Sequence, residues 1–129
     1  MNNSKSILVV NDEEDMLTHI ERWLLMAGFT VECAITAEKG LQLFKEAQFD
    51  LVLMDFNLKK ERAGSKTAKL FIPMFKKINP LIPIIIISAT EPNLKKEDLN
   101  VSAVFIVQGS LWKNLPLAIN RVLQNDVRS

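Results

Sequence analysis

Four runs of consecutive apolar residues occur along the chain, and each ends abruptly in polar residues. The runs are residues 7–10 before Asn11 and Asp12, 51–54 before Asp55, 84–87 before Ser88, and 104–107 before Gln108. Consecutive apolar positions are typical of strands buried on both faces, as in a parallel sheet covered by helices. Ligands of such sheets bind beyond the carboxyl ends of the strands. The pattern therefore predicts that these polar residues lie along one functional rim.

The first half of the chain alternates these runs with helical patterns. Residues 14–27 predict a helix that ends before Gly28 as a C-cap. Its buried stripe is predicted to comprise Leu17, Ile20, Leu24 and Ala27. A second strand over 30–35 leads to Thr36, whose hydroxyl is suited to cap a helix over 37–47.

The second half continues the alternation after a polar loop over residues 57–65. Pro73 interrupts the next amphipathic segment, which reaches Ile78, so this helix is either bent at Pro73 or begins near it. Its apolar face is predicted to comprise Phe71, Met74, Phe75 and Ile78. A short polar helix over 92–99 is predicted next. The last helix starts near Asn114, runs to about residue 125 and buries Leu115, Ile119, Val122 and Leu123.

Strands that alternate with helices predict an α/β fold with a doubly wound parallel sheet. The 129 residues fit a single domain over 1–129, with an ordinary apolar fraction of 48% and charged fraction of 24%. A net charge of +1 gives no electrostatic reason to expect nucleic acid or a membrane as a partner. The polar N-terminus shows no signal peptide, and the single cysteine, Cys33, fits a small buried side chain in a reducing cytoplasm.

Four motifs, by their order and by their positions at the strand ends, together resemble the receiver domain of bacterial two-component response regulators. They occupy residues 7–13, 50–58, 84–89 and 101–108, and the resemblance extends over residues 6–127. It implies the flavodoxin-like (βα)5 receiver fold with five strands in the order 2-1-3-4-5. It also implies a signalling protein rather than an enzyme.

The resemblance assigns a role to each polar residue at the rim. Asp55 would accept a phosphoryl group from a sensor histidine kinase, a phosphotransfer protein or a small phosphodonor. Mg²⁺ would be bound by Asp12, Asp55 and the backbone carbonyl of Asn57. Ser88 would be the switch hydroxyl and Phe105 the switch aromatic. Together they would alter the surface of the fourth helix, fifth strand and last helix, where a downstream protein binds; homodimerisation stays open.

Two departures from the family pattern bear on this chemistry. Asn11 occupies the position of a second acid, where it can be only a weak metal ligand, and Gln108 occupies the position of a lysine. Both changes together leave the formal charge of the site at −2, as in the usual site. A positioned cation for the transferring phosphoryl group is lost, so slower phosphorylation or weaker read-out is expected.

Two other functions compete with the phosphoaccepting receiver. A pseudo-receiver, used as an interaction module independent of phosphorylation, is favoured by Asn11 and Gln108. A magnesium-dependent phosphohydrolase would need a second acid two residues after Asp55, where the chain has Asn57. His19 is predicted to be an exposed or half-buried residue of the first helix, and this interpretation is preferred to a phosphoryl-carrying role.

Overall fold

The computed structural model describes residues 4–55, 66–88, 101–106 and 114–127. Its elements, in chain order, are β1 (Ser6–Val10), α1 (Glu14–Met26), β2 (Thr30–Ala34), α2 (Ala37–Glu46), β3 (Leu51–Asp55), α3 (Lys66–Ile78), β4 (Ile84–Ser88), β5 (Ala103–Ile106) and α4 (Leu115–Val127). The strands form one parallel sheet in the order β2-β1-β3-β4-β5, the order that the resemblance implied. The short helix predicted over 92–99 lies outside the described residues.

Helices cover both faces of the sheet and divide the core into two layers. The α2 and α3 helices pack over one layer, which takes Val52 and Met54 from β3. The α1 and α4 helices pack over the other, which takes Leu51 and Leu53. Because successive strand residues point to opposite faces, a strand covered on both sides must be apolar at every position. This confirms the interpretation of the apolar runs over 7–10, 51–54 and 84–87.

Local contacts explain where two helices begin and end. The Thr36 hydroxyl accepts a hydrogen bond from the Lys39 N–H at 3.0 Å and caps α2, as predicted. Gly28 follows α1 with a φ of 96°, a conformation that side chains with a Cβ avoid. Gly40 lets α2 approach β1 closely, since a Cβ at this position would lie 2.8 Å from Val10 Cγ2.

The structure corrects two predicted helix faces. Ala27 is exposed, because α1 ends at Met26 and Ala27 is its C-cap. In α3, Phe71 and Phe75 are buried as predicted, whereas Met74 and Ile78 are exposed. Ile72 is buried in their place.

Other predictions about the helices are settled by the structure. Pro73 lies inside α3, so this helix does not begin there. The predicted inward residues of α4 are buried or packed against the core, and the helix extends to Val127 rather than 125. Cys33 is half-buried in β2, less than expected. Within the described residues, no helix has the length and apolar character needed to cross a membrane.

Candidate functional site at the carboxyl edge of the sheet

The carboxyl ends of β1, β3 and β4 lie side by side. Val10 pairs with Met54, so Asn11 and Asp12 follow β1 at the level where Asp55 ends β3. Asp55 pairs with Ile87, and Ser88 is one residue further along β4. Neighbouring strands lie about 4.8 Å apart. The fold therefore brings the predicted residues of three strands to one stretch of the edge.

The buried polar residues of the described chain all lie at this edge. Asn11, Asp12 and Ser88 are 4%, 3% and 2% exposed, and Asp55 is half-buried. Removing polar groups from water costs free energy unless they are compensated. Such a concentration next to a half-buried carboxylate is a feature of functional sites rather than of a core built for stability alone.

Asn11 folds the start of the loop after β1 into an Asx turn. Its side-chain oxygen accepts a hydrogen bond from the Glu13 N–H at 2.9 Å. Its own N–H donates to the Ala34 carbonyl at 3.0 Å, which ties the loop to β2. Asp12 lies inside this turn, so its backbone is fixed on both sides. This role of Asn11 was not predicted, although asparagine at a strand end is a known signal for such a turn.

The donor set at the edge suits a hard cation. Asp12 and Asp55 offer carboxylate oxygens, and Mg²⁺ takes oxygen ligands while keeping several waters. The carbonyl of Asn57, the third predicted ligand, lies outside the described residues. No group of three or more Asp, Glu, His or Cys residues arranged for a metal occurs in the described ranges. Asn11 offers an amide oxygen rather than a carboxylate, and this oxygen accepts the Glu13 N–H.

The remaining predicted residues are placed only in part. Phe105 lies in β5 at the position paired with Ile87, which is next to Ser88 in β4. Gln108, at the lysine position of the family, lies outside the described residues. His19 is exposed on α1, as expected for a helical surface residue.

Comparison with known proteins identifies the family. The sequence model of the response regulator receiver domain family matches residues 7–109, and the chain belongs to this family. Receiver domains of response regulators are signalling modules of two-component systems and not enzymes.

Individual relatives and solved structures agree with this family. The transcriptional regulatory protein ZraR of Escherichia coli is 35% identical over 119 residues, which cover 91% of this chain and 26% of ZraR. A CheY-like receiver domain protein of Methanospirillum hungatei shares the fold with a TM-score of 0.84, at 21% identity over 98% of both chains. TrrA of Thermotoga maritima, solved with Mg²⁺-BeF, has a TM-score of 0.76 at 19% identity, over 92% of this chain and 98% of TrrA.

The curated relatives are longer than this chain. It spans 24% to 37% of the length of those it matches first. The match therefore concerns the receiver part of those proteins.

Proposed function

We propose that this chain is a phosphoaccepting receiver of a two-component phosphorelay and that Asp55 is the acceptor. The observation that carries the proposal is the position of Asp55 at the end of β3, between buried Asp12 on one side and buried Ser88 on the other. Family membership supplies the class of reaction.

The chemistry asks for one nucleophile and one electrostatic partner. A carboxylate oxygen of Asp55 attacks the phosphorus atom of the donor and forms an acyl phosphate, while the bond from phosphorus to the donor's leaving group breaks. Asp12 and Asp55, with the Asn57 carbonyl, would hold Mg²⁺, which supplies positive charge between two anions. The complex of TrrA with Mg²⁺-BeF supports the choice of Mg²⁺ by analogy.

The read-out is proposed to start at Ser88. Its hydroxyl would bind a phosphoryl oxygen, and Phe105, on the neighbouring strand, would change orientation in response. The affected surface includes β5 and α4, where a downstream protein would bind. Gln108 supplies no positive charge, so phosphorylation is expected to be slower than with a lysine at that position.

The partners follow from the same reaction. The phosphoryl group would come from a sensor histidine kinase or a phosphotransfer protein, in the cytoplasm. The domain is proposed to extend over residues 1–129.

Intact mass spectrometry tests the proposal directly. The chain is incubated with Mg²⁺ and acetyl phosphate, and a single phosphoryl adduct is expected. Asp55→Asn should remove the adduct, because an amide is not a nucleophile for this step. Asp50→Asn is the matched control, since Asp50 precedes the same strand at its opposite end, and it should keep the adduct.

The opposite result defines the second function. If neither acetyl phosphate nor a panel of histidine kinases produces an adduct on wild-type protein, phosphoryl acceptance is wrong. The pseudo-receiver favoured by Asn11 and Gln108 then takes its place.

A further inference from the structure

The outer side of α3 carries a ridge of apolar side chains. Leu70, Met74 and Ile78 follow one another at intervals of four residues and are 54%, 39% and 42% exposed. Side chains four residues apart on a helix lie one above another, so these three are continuous. Leu81, 81% exposed, lies three residues after Ile78 in the turn that follows the helix. We call these four residues the α3 ridge. An exposed apolar surface of this extent is a mark of an interaction site.

The end of the α3 ridge is held in place by hydrogen bonds. The Leu81 N–H donates to the Asn79 side-chain oxygen at 3.1 Å, and the Ile82 N–H donates to the Asn79 carbonyl at 3.1 Å. Lys76 Nζ donates to the Ile82 carbonyl at 2.6 Å. Leu81 is therefore presented to solvent by a fixed turn. A partner that binds it has little backbone entropy to remove.

A cavity of about 480 Å³ adjoins the ridge at the C-terminal end of α3. Its walls are formed by Phe44, Lys45, Ala47, Gln48, Phe49, Ile78 and Asn79. The Phe44 and Phe49 rings are stacked with centroids 6.1 Å apart and form an aromatic part of the wall, beside the polar residues Lys45, Gln48 and Asn79. Ile78 belongs to both the ridge and the cavity. A row of exposed apolar side chains beside a cavity with apolar and polar walls can receive the apolar and polar side chains of an interdigitating helix.

The charge around the ridge selects the partner. The α3 sequence carries Lys66, Lys69, Lys76 and Lys77 and no acidic residue. Lys77 is exposed and lies three residues after Met74, so it borders the ridge, and Lys45 lines the cavity. A symmetric contact between two copies through the ridge would bring the two Lys77 side chains towards each other, which opposes association. A partner with acidic residues beside its apolar ones is complementary.

We propose that the α3 ridge and the adjoining cavity form a docking site for an amphipathic helix of a partner protein, with Asp or Glu bordering its apolar face. A side chain of that helix would enter the cavity beside Ile78. This end of α3 lies before β4, at the amino edge of the sheet, opposite Asp55. Docking is thus independent of phosphoryl acceptance, and Asp55→Asn should leave it unchanged.

A library of helical peptides displayed on phage, with one face randomised, tests the proposal. Selection uses the full chain, with counter-selection against the Met74→Glu/Ile78→Glu double variant. The expected clones carry Leu, Ile or Met flanked by Asp or Glu. In fluorescence anisotropy, Met74→Glu and Ile78→Glu, each made alone, should weaken binding of the selected peptides at least about tenfold, as for residues central to an interface. Lys77→Glu should weaken it by a smaller factor.

Leu117→Glu serves as the matched control. Leu117 is 54% exposed on α4, which packs on the other face of the sheet, so its replacement should leave peptide affinity unchanged. Because all these residues are exposed, thermal unfolding should show the variants folded.

Several results would overturn the proposal. These are the absence of enriched clones, clones without an acidic excess, and clones that bind the ridge variants as well as wild type. Dimerisation that the ridge variants abolish would identify a second copy as the occupant instead. Binding to vesicles of phosphatidylglycerol and phosphatidylcholine that depends on Met74 and Ile78 would identify a lipid surface.

Discussion

Asp50 and Asp55 stand at opposite ends of the same strand and use the same side chain differently. Asp50 lies before β3 at the amino edge, where its carboxylate accepts a hydrogen bond from the Ser6 N–H at 2.7 Å. Its own N–H donates to the Ser6 carbonyl at 2.8 Å. Asp50 thus joins the starts of β1 and β3. Asp55 ends β3 beside buried Asp12 and Ser88, in a group of polar residues that stability alone does not require.

The comparison teaches that the ends of a parallel strand are not equivalent. At the amino edge, polar groups join neighbouring segments, as with Lys76 and the Ile82 carbonyl. At the carboxyl edge, the loops leave the sheet and deliver polar side chains to a shared space. The residue type does not distinguish the two roles, but the position on the strand does.

The rate of phosphoryl acceptance should distinguish the two edges of the sheet most strongly. Asp12→Asn should slow Mg²⁺-dependent formation of the adduct by about 100-fold, as for removal of one electrostatic contributor in an active site. The reason is that one of the two proposed carboxylate ligands becomes neutral. Time-resolved intact mass spectrometry measures the rate, with Asp50→Asn as the control. An Asp12→Asn rate equal to that of wild type would show that the carboxyl edge does not act in this way.

A smaller effect is expected on stability at the amino edge. Asp50→Ala should lower the free energy of unfolding by about 1–2 kcal/mol, because the Ser6 N–H loses a charged acceptor at a partly buried position. Urea denaturation measures this loss. The same variant should form the phosphoryl adduct at the wild-type rate. Loss of the adduct with retained stability would reverse the roles assigned to the two edges.

An effect confined to alkaline pH concerns Cys33, in β2 away from Asp50 and Asp55. Burial, with help from the negative charges of Glu21 and Glu32, raises the pKa of its thiol from an ordinary value of 9.0 to about 11. In this window the unfolded chain loses the proton and the folded chain keeps it. The stability contributed by this group is therefore present below pH 9.0 and lost as pH rises towards about 11.

Urea denaturation of wild type and Cys33→Ala between pH 9.0 and about 11 separates the contribution of the thiol from that of the lysines, because the lysines are the same in both proteins. The unfolding free energy of wild type should fall relative to that of Cys33→Ala as pH rises. Thiolate absorbance of the folded protein should appear only near the top of the range. A thiolate signal that is complete by pH 9.0 would contradict the assignment.

Local sequence signals predicted most of the described elements. The apolar runs located β1, β3 and β4 because a strand covered on both faces has no polar positions. Thr36 located the start of α2 because its hydroxyl accepts a backbone N–H, and Gly28 located the end of α1 because glycine adopts a positive φ without strain. These signals depend on a few neighbouring residues, so they survive without knowledge of the rest of the chain.

The exposed face of α3 was not predictable in this way. Apolar residues of α3 are spread around much of its circumference, so its periodicity is compatible with more than one buried stripe. In the folded chain Phe75 is buried, and its ring packs edge to face against the Phe44 ring with centroids 5.1 Å apart. This contact turns Ile72 towards the sheet and leaves Met74 and Ile78 at the surface. The wrong prediction and the proposed docking site have the same origin.

Patterning along the chain was sufficient to predict the class of fold, the strand ends and the rim to which Asp12, Asp55 and Ser88 are delivered. The joining role of Asp50 and the side of α3 that faces solvent depend on contacts made in the folded chain. The physical reason is the range of the interactions. Strand ends follow from hydrophobic patterning along the chain, whereas a helix's orientation depends on side chains distant in sequence that compete for the same space.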